Sequence, residues 1–402
     1  MEKFRHFGDA ATGIHPFTFV ISPTTLGRVG ATSMFPVRLL FSAVFFLLLL
    51  ITDTLLWVLY SAYLGVIGRL LLAPLQRAWI LGLLFFIGHI LPEQPATIAQ
   101  PPSNGPTTSD ATSRQVRAGD VVVCNLQSVW DAPVLEVMLA QPYHAICFPD
   151  VTVTEGLAPG LRVFWPSPLQ RWKVFNFVRH TGTLNFLTAQ QSGSAAQQTL
   201  TKKGDELPLY RVQDAAAKAG IPVWWFGEGT CSNGKGLLPM PAAIFRSSDP
   251  APAASAAEAA RGALYVATVQ YDSPALQNVL GKDVEGLLRA LFRTGVLLYG
   301  STAPAWSSPF FPSAEVTFRA VRLTRAAAFE VGGLGKGSGA PAYWTLGTPA
   351  LLELRHAMCQ RGQALVVRGS GGGGAVRRQP LSVGMKEKRG FVEAYTAMLR
   401  AK

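Results

Sequence analysis

Two short segments gather polar side chains directly behind apolar, β-branched runs. Asn125-Leu126-Gln127-Ser128-Val129-Trp130-Asp131 follows Val121–Cys124, and Gly227-Glu228-Gly229-Thr230-Cys231-Ser232-Asn233-Gly234-Lys235-Gly236 follows Val223–Phe226. In open α/β sheets ligands bind beyond the carboxyl ends of strands, so both segments lie where reacting groups are expected. Glycines at 227, 229, 234 and 236 let the backbone approach a ligand closely, and N–H groups beside Lys235 suit an anion. On spacing alone, a Gly/Asn turn braced by a structural Glu228 accounts for the second segment equally well.

The elements that must position these turns alternate in type. Val121–Cys124 reads as a buried strand, 130–140 has helical spacing, and 143–148 reads as the next strand. Leu209–Lys218 is helix-like with Gly220 as its C′ cap, followed by strands over 221–226 and 263–271. An amphipathic helix is expected over 287–298, and later strands over 316–323 and 364–367. This alternation predicts an α/β class with a mixed, largely buried sheet flanked by helices.

The chain of 402 residues is 49% hydrophobic and only 15% charged, with a net charge of +12. Soluble domains carry about 25% charged residues, so disorder, a disulfide scaffold and a freely soluble enzyme are disfavoured. The excess charge divides as +3 over residues 1–117 and +9 over the rest, which suggests an anionic partner at a membrane surface. No zinc-finger spacing, basic heptad helix or aromatic RNA-binding strand supports nucleic acid as that partner. Cys124, Cys147, Cys231 and Cys359 are too scattered for a metal site or disulfide framework, and the six histidines lack metal-ligand spacing.

From 39 to 68 the only charge is Asp53, and a second apolar run covers 78–91. Pro74 is expected to break helical continuation. Two arrangements fit: crossings near 39–60 and 70–91, or a re-entrant hairpin in one leaflet. Lys3, Arg5, Arg28 and Arg38 before the first run suggest a cytosolic N-terminus, and a plastid transit peptide in 1–35 stays open. The organisation is then a tail (1–35), a membrane-inserted hairpin or helix pair (36–92), a Pro/Ser/Thr-rich linker (93–117) and an α/β domain (118–402). Low-complexity insertions are expected near 192–206, 247–262 and 369–380. Lys386, Lys388 and Arg389 ahead of 391–399 read either as a basic amphipathic end lying on anionic lipid or as a docking helix.

The pair Cys124-Asn-Leu-Gln-Ser-Val-Trp-Asp131 and Phe226-Gly-Glu-Gly-Thr-Cys-Ser-Asn-Gly-Lys-Gly-Leu-Leu238 resembles the glycerolipid acyltransferase family, which includes the lysophosphatidic acid and lysophospholipid acyltransferases. Their signatures are NHxxxxD and FPEGTRSxG. Cys231 stands where the second signature has arginine. Arg179, in FNFVRHTGTLNF, is similar to the family's intermediate motif, which holds acceptor phosphate, and 266–271 to its fourth motif. The resemblance covers roughly 115–275. It implies acyl transfer from acyl-CoA, a co-substrate, to a lysophospholipid, most naturally lysophosphatidic acid giving phosphatidic acid, with no cofactor and no metal. It also implies the endoplasmic reticulum membrane or a lipid droplet as location, with the catalytic domain cytosolic. Glu228, Gly229 and Thr230, with Arg179 and Lys235, would hold the acceptor; Asp131 and Asn125 would shape the reaction centre.

The family's catalytic histidine falls on Leu126, which cannot accept a proton. General-base catalysis contributes about 10²–10⁴-fold, whereas positioning two substrates contributes about 7–11 kcal/mol by itself. Three alternatives follow. His180 (better placed than His144) supplies the base; Asp131 acts directly or through water; or the domain is a non-catalytic relative that binds lipid or recruits partners. Leu126→His is expected to raise turnover if the site geometry is otherwise intact.

Overall fold

The computed structural model describes residues 6–11, 14–17, 25–62, 64–88, 91–93, 116–139, 141, 143–149, 161–181, 206–232, 236–241, 243–247, 264–271, 288, 292, 313–321, 329–330, 342–346, 351, 354–355, 358, 379–382 and 385–400. In chain order the helices are α1 (Thr25–Ser61), α2 (Gly65–Gly88), α3 (Asp131–Leu139), α4 (Gln170–His180), α5 (Leu209–Lys218) and α6 (Met385–Arg400). The strands are β1 (Leu91–Glu93), β2 (Val121–Cys124), β3 (Ala145–Pro149), β4 (Leu161–Phe164), β5 (Glu206–Leu207), β6 (Val223–Phe226), β7 (Gly236–Leu237), β8 (Ala243–Ser247), β9 (Leu264–Tyr271), β10 (Ser313–Val321), β11 (Phe329–Glu330), β12 (Ala342–Leu346) and β13 (Gln379–Pro380).

The class is mixed α/β. Eight strands form one sheet in the order β1-β10-β9-β2-β6-β3-β4-β5. Its centre is parallel: β2 runs with β6 and β9, and β3 with β6. Antiparallel β10 and β4 flank that centre. Every residue of β2, β3 and β6 is buried, as continuous apolar runs demand of strands covered on both faces. Side chains alternate between two cores. Val122, Cys124, Trp224 and Phe226 face α3, α4 and part of the helical pair, whereas Val121, Val123, Val223 and Trp225 face α5. The order α5, Gly220, β6 follows the sequence reading: Gly220 has φ 73, Ile221 N–H donates to Ala216 O and Gly220 N–H to Ala217 O, closing a Schellman turn.

Helices α1 and α2 form an antiparallel hairpin, with Phe41 stacked on Phe86 and Phe45 near Trp79. Segments 32–61 and 70–87 are each long and apolar enough to cross a bilayer. Pro74 does not break the helix here: it lies inside α2, and the two helices are separated between Ser61 and Gly65. Leu64 N–H donates to Leu59 O at 2.8 Å, the six-to-one bond that terminates α1, whereas Pro74 removes a single donor from a helix held along its length by packing. Arg38 does not merely flank the apolar run, because its guanidinium bonds to the carbonyls of Phe86 and Ile87 at the end of α2.

The hairpin has two unlike flanks. Leu49, Ile80, Leu83, Leu84 and Ile87 join the core beneath the sheet, while Leu40, Leu47, Ile51, Leu55, Leu70 and Leu71 are exposed. Asp53 faces the domain. It accepts from Gln76 Nε2 at 2.7 Å and from Arg171 Nε of α4 at 2.7 Å, and Arg171 also grips Glu136 of α3 through two further bonds. Burial works against the Arg171 charge, but the two carboxylates outweigh it and hold its pKa above the ordinary guanidinium value. Trp172 against Phe46 and Tyr143 stacked on Tyr60 complete the seam.

Leu91–Glu93 pairs with β10 at the start of the expected linker; the remainder of that linker through residue 115 lies outside the described residues. So do the strand at 364–367, almost all of the helix expected over 287–298, and nearly all of the three expected insertions. The 385–400 segment is a docking helix: Lys388, Phe391 and Val392 are buried against the domain.

Arg171→Met is expected to leave Asp53 and Glu136 buried without their cation. Removing one partner of a buried ionic cluster costs about 3–5 kcal/mol, so the denaturant midpoint of detergent-solubilised protein should fall accordingly. An unchanged midpoint would mean that the hairpin does not depend on this seam.

Candidate functional site

The two polar turns meet. Because β2 and β6 are adjacent and parallel, with Cys124 opposite Phe226, the segments that leave them emerge side by side. The Glu228 carboxylate spans the gap: Oε2 accepts the Leu126 N–H and Oε1 the Leu238 N–H, both at 2.6 Å. Ser232 N–H returns a bond to Leu126 O at 3.0 Å. Gly229 has φ 65, and a Cβ there would lie 2.9 Å from Pro149 Cγ, so both the backbone conformation and the approach to β3 require glycine.

On its other side the first turn is tied to β9, which continues past the end of β2. The Asn125 side chain behaves as an extra strand residue: Oδ1 accepts the Val269 N–H at 2.8 Å and Nδ2 donates to Val269 O at 3.0 Å. Gln127 Nε2 donates to the same carbonyl. Asp131 opens α3 and closes the turn. Its Oδ2 accepts the N–H groups of Gln127 and Ser128 at 2.6 and 3.0 Å, and its Oδ1 accepts the Tyr271 hydroxyl at 2.6 Å. Burial, reinforced by the Asp131 charge, pushes Tyr271 well above the ordinary phenol range, so it remains a donor. Leu126 is 1% exposed and belongs to the core with Phe148 and Phe226. Leucine therefore stands at this position with its neighbours arranged for it, and Asp131 Oδ1 beside the turn is occupied by the Tyr271 hydroxyl.

The second turn receives a cation from the far end of the chain. Lys388 of α6 is completely buried, with Nζ 2.6 Å from Thr230 Oγ1 and 2.8 Å from Cys231 O. Desolvation lowers its pKa to about 8, against the opposing pull of Cys231 and Glu228. Burial likewise pushes the Cys231 thiol up, so it stays protonated. The Phe17 ring centroid lies 5.9 Å from Nζ, and Asp9 bonds to Ser382 just ahead of α6.

Helix α4 delivers Arg179 and His180 to the same edge of the sheet. It starts where Gln170 Nε2 bonds to His144 O, before β3, and Phe177 reaches Phe148 near the end of that strand. Arg179 lies over the Phe175 ring at 5.7 Å. His144 is a core residue: it stacks on Trp224 at 3.5 Å, and burial lowers its pKa to about 3, so it holds no proton to exchange near neutrality. Lys235, with Asn233 and Gly234, lies outside the described residues. Among the described residues no group of three or more His, Cys, Asp or Glu is placed to hold a metal ion.

Sequence reasoning brought out Asn125, Asp131, Glu228, Gly229 and Thr230 but passed over Tyr271, Gln127 and Lys388 as members of the constellation. Tyr271 carries a weak signal as the last residue of an apolar strand parallel to β2. For Lys388 the apolar positions around it, which mark a docked helix face, are the nearest one. No family model, curated protein or solved structure matches the chain.

Glu228→Gln keeps one acceptor oxygen and turns an NH2 toward the other buried N–H. Leaving one such group unpaired is expected to cost about 1–3 kcal/mol, read from the denaturant midpoint. The Lys388 pKa gives a pH signature with the opposite sense to a gained ion pair. Between pH 8 and 10.5 the unfolded chain holds a proton that the folded chain has released, so stability rises with pH. Wild type should gain about 3 kcal/mol relative to Lys388→Met across that window, and a flat difference would contradict the buried amine.

Proposed function

We propose that this chain is a membrane-associated acyltransferase that moves a fatty acyl group from acyl-CoA to the free hydroxyl of a lysophospholipid, lysophosphatidic acid foremost. The observation that carries the reading is the Glu228 bridge, which holds two turns of the resembling motifs against each other at the carboxyl ends of adjacent parallel strands. In the reaction the acceptor oxygen bonds to the thioester carbonyl carbon, the C–S bond breaks, and the departing CoA sulfur takes the proton. Asp131 and Asn125 serve it by fixing the first turn rather than by exchanging protons, since the bonds of both are spent on the backbone and on Tyr271. His180, at the end of α4, is the side chain we assign to take the hydroxyl proton and pass it to that sulfur, with Arg179 beside it for the acceptor phosphate.

The exposed flank of the hairpin would bring this edge to the lipid. A full crossing would carry α4 and its Arg171 cluster into the hydrocarbon, where charged groups are expensive, so we favour insertion into a single leaflet. The endoplasmic reticulum or a lipid droplet, with the domain on the cytosolic side, fits this anchoring; a plastid membrane is compatible with it.

A second reading has its own observation. Leu126 and the Tyr271–Asp131 bond close the first turn with apolar packing and a satisfied carboxylate, an arrangement suited to a non-catalytic lipid-binding or recruiting protein. Purified full-length protein, labelled oleoyl-CoA and a panel of lysolipids separate the two. Product above a Glu228→Ala control supports the enzyme, and its absence removes that reading. Leu126→His alone is not expected to raise turnover, because Asp131 Oδ1 is taken. Leu126→His with Tyr271→Phe frees that oxygen and should raise the rate at least about tenfold, within the range a general base contributes.

A further inference from the structure

Among the described residues, and Leu288 apart, the exposed large apolar side chains fall in two places: the α1–α2 hairpin, from Val29 to Leu75, and a short stretch that carries Trp165, Leu169 and Trp172. Those three are 36, 49 and 43% exposed, and they are held in that position. Gln170 Nε2 donates to the carbonyls of His144 and Phe164, both at 2.8 Å, and Lys173 N–H donates to Leu169 O at 2.9 Å. The turn is thereby pinned to the sheet where α4 begins. Helix α4 then buries Val174, Phe177 and Val178 and leaves Trp172, Lys173 and Asn176 outside. The patch is continuous with the hairpin: Trp172 meets Phe46 of α1 at 6.0 Å between ring centroids, and Leu47, next in the chain, is exposed. Its charge is one-sided. Residues 161–181 contain Arg162, Arg171, Lys173 and Arg179 and no Asp or Glu. Arg171 is committed to Asp53 and Glu136, whereas Lys173 is exposed beside Trp172. Tryptophan favours the boundary between water and hydrocarbon, because its ring is apolar and its N–H seeks a polar partner. A lysine at that level is attracted to anionic headgroups.

We propose that the stretch from Trp165 to Lys173 is a second membrane contact of this chain: it rests at headgroup level on the leaflet that receives the hairpin, with the two indoles at the interface and Lys173 against anionic lipid. This contact presupposes the membrane-associated reading of the hairpin and is independent of acyl transfer. Continuity with α1 and the absence of acidic residues favour a lipid surface over a protein partner as the occupant. A hairpin alone leaves the domain free to turn about the hairpin axis, and a contact to one side of it fixes the tilt. The same tilt brings Arg179, about two turns beyond Trp172 on α4, toward the headgroups. Phe175 links the two, stacking on Trp172 at 5.9 Å and lying beneath the Arg179 guanidinium at 5.7 Å.

Fluorine NMR of full-length protein, carrying fluorotryptophan and reconstituted in bilayers of phosphatidylcholine and phosphatidylglycerol, tests this. The chain has nine tryptophans, and Trp57→Phe, Trp165→Phe and Trp172→Phe assign the three resonances that matter, which are then measured in the wild type. For Trp165 and Trp172, relaxation by a spin label near the lipid headgroup should exceed that by a water-soluble gadolinium chelate at least about threefold, and should also exceed that by a label at the acyl-chain end. Trp57, 43% exposed on α1, reports on the hairpin. Lipid contact at Trp57 with water contact at Trp165 and Trp172 would overturn the proposal and leave the membrane reading intact, whereas water contact at all three would end both. Shielding of Trp165 and Trp172 from every agent would mean that protein covers the patch. Strongest relaxation from the chain-end label would put α4 in the hydrocarbon. Either result overturns the headgroup contact. Lys173→Glu, at an exposed helix position, should lower headgroup relaxation of Trp172 about fivefold, the scale of one surface lysine at an anionic membrane. An unchanged value would remove anionic lipid as the partner.

Discussion

Glu228 would be repelled by any anionic ligand, yet its carboxylate lies at the centre of the constellation, because it accepts one backbone N–H from each of two separate segments. Hydrogen bonds to an ionised acceptor contribute about 1.5–3 kcal/mol each, and two bonds on one buried carboxylate leave little freedom in the loop that carries it. Residues 126, 228 and 238 are thereby locked to one another. Thr230, Cys231 and Ser232 inherit their positions from that lock. The role is architectural, and it explains how a negatively charged residue can belong to a loop proposed to serve a negatively charged substrate.

The same economy applies to the other charges of the edge. Asp131 is satisfied by two backbone N–H groups and a phenol whose proton burial retains. Leu126 follows from this: with Tyr271 occupying the carboxylate and aromatic rings of the core around the side chain, the position is apolar by construction. Lys388 supplies positive charge at the second turn from more than 150 residues away in sequence, and its low exposure ties the conformation of the chain ends to that of the loop.

The hairpin is part of the domain and also its apolar face. Asp53 would be an anomaly in an isolated membrane helix, since a lone carboxylate among lipid tails is costly. Bound by Gln76 and by Arg171 it becomes the point at which α1 is fixed to α4 and, through Glu136, to α3. Burial raises Glu136 to about 7 in spite of the guanidinium, so the cluster is held by geometry and packing as much as by charge. The helix that ends in Arg179 and His180 is thus braced by the element proposed to touch the membrane.

Much of this was legible in the residues themselves. The uninterrupted apolar runs of β2 and β6 require strands covered on both faces, and Gly220 marks a helix end that only an αL residue makes easily. The polar turns behind those strands followed from the same reasoning. Local signals of this kind survive because they reflect short-range sterics and burial. What tertiary structure decided are the pairings of distant groups. Tyr271 chooses Asp131, Lys388 chooses Thr230, and Arg171 chooses Asp53, each across more than 100 residues. No periodicity encodes such choices, because the free energy of a buried polar group depends on which partner the fold brings within reach, and that is a property of the packed chain as a whole.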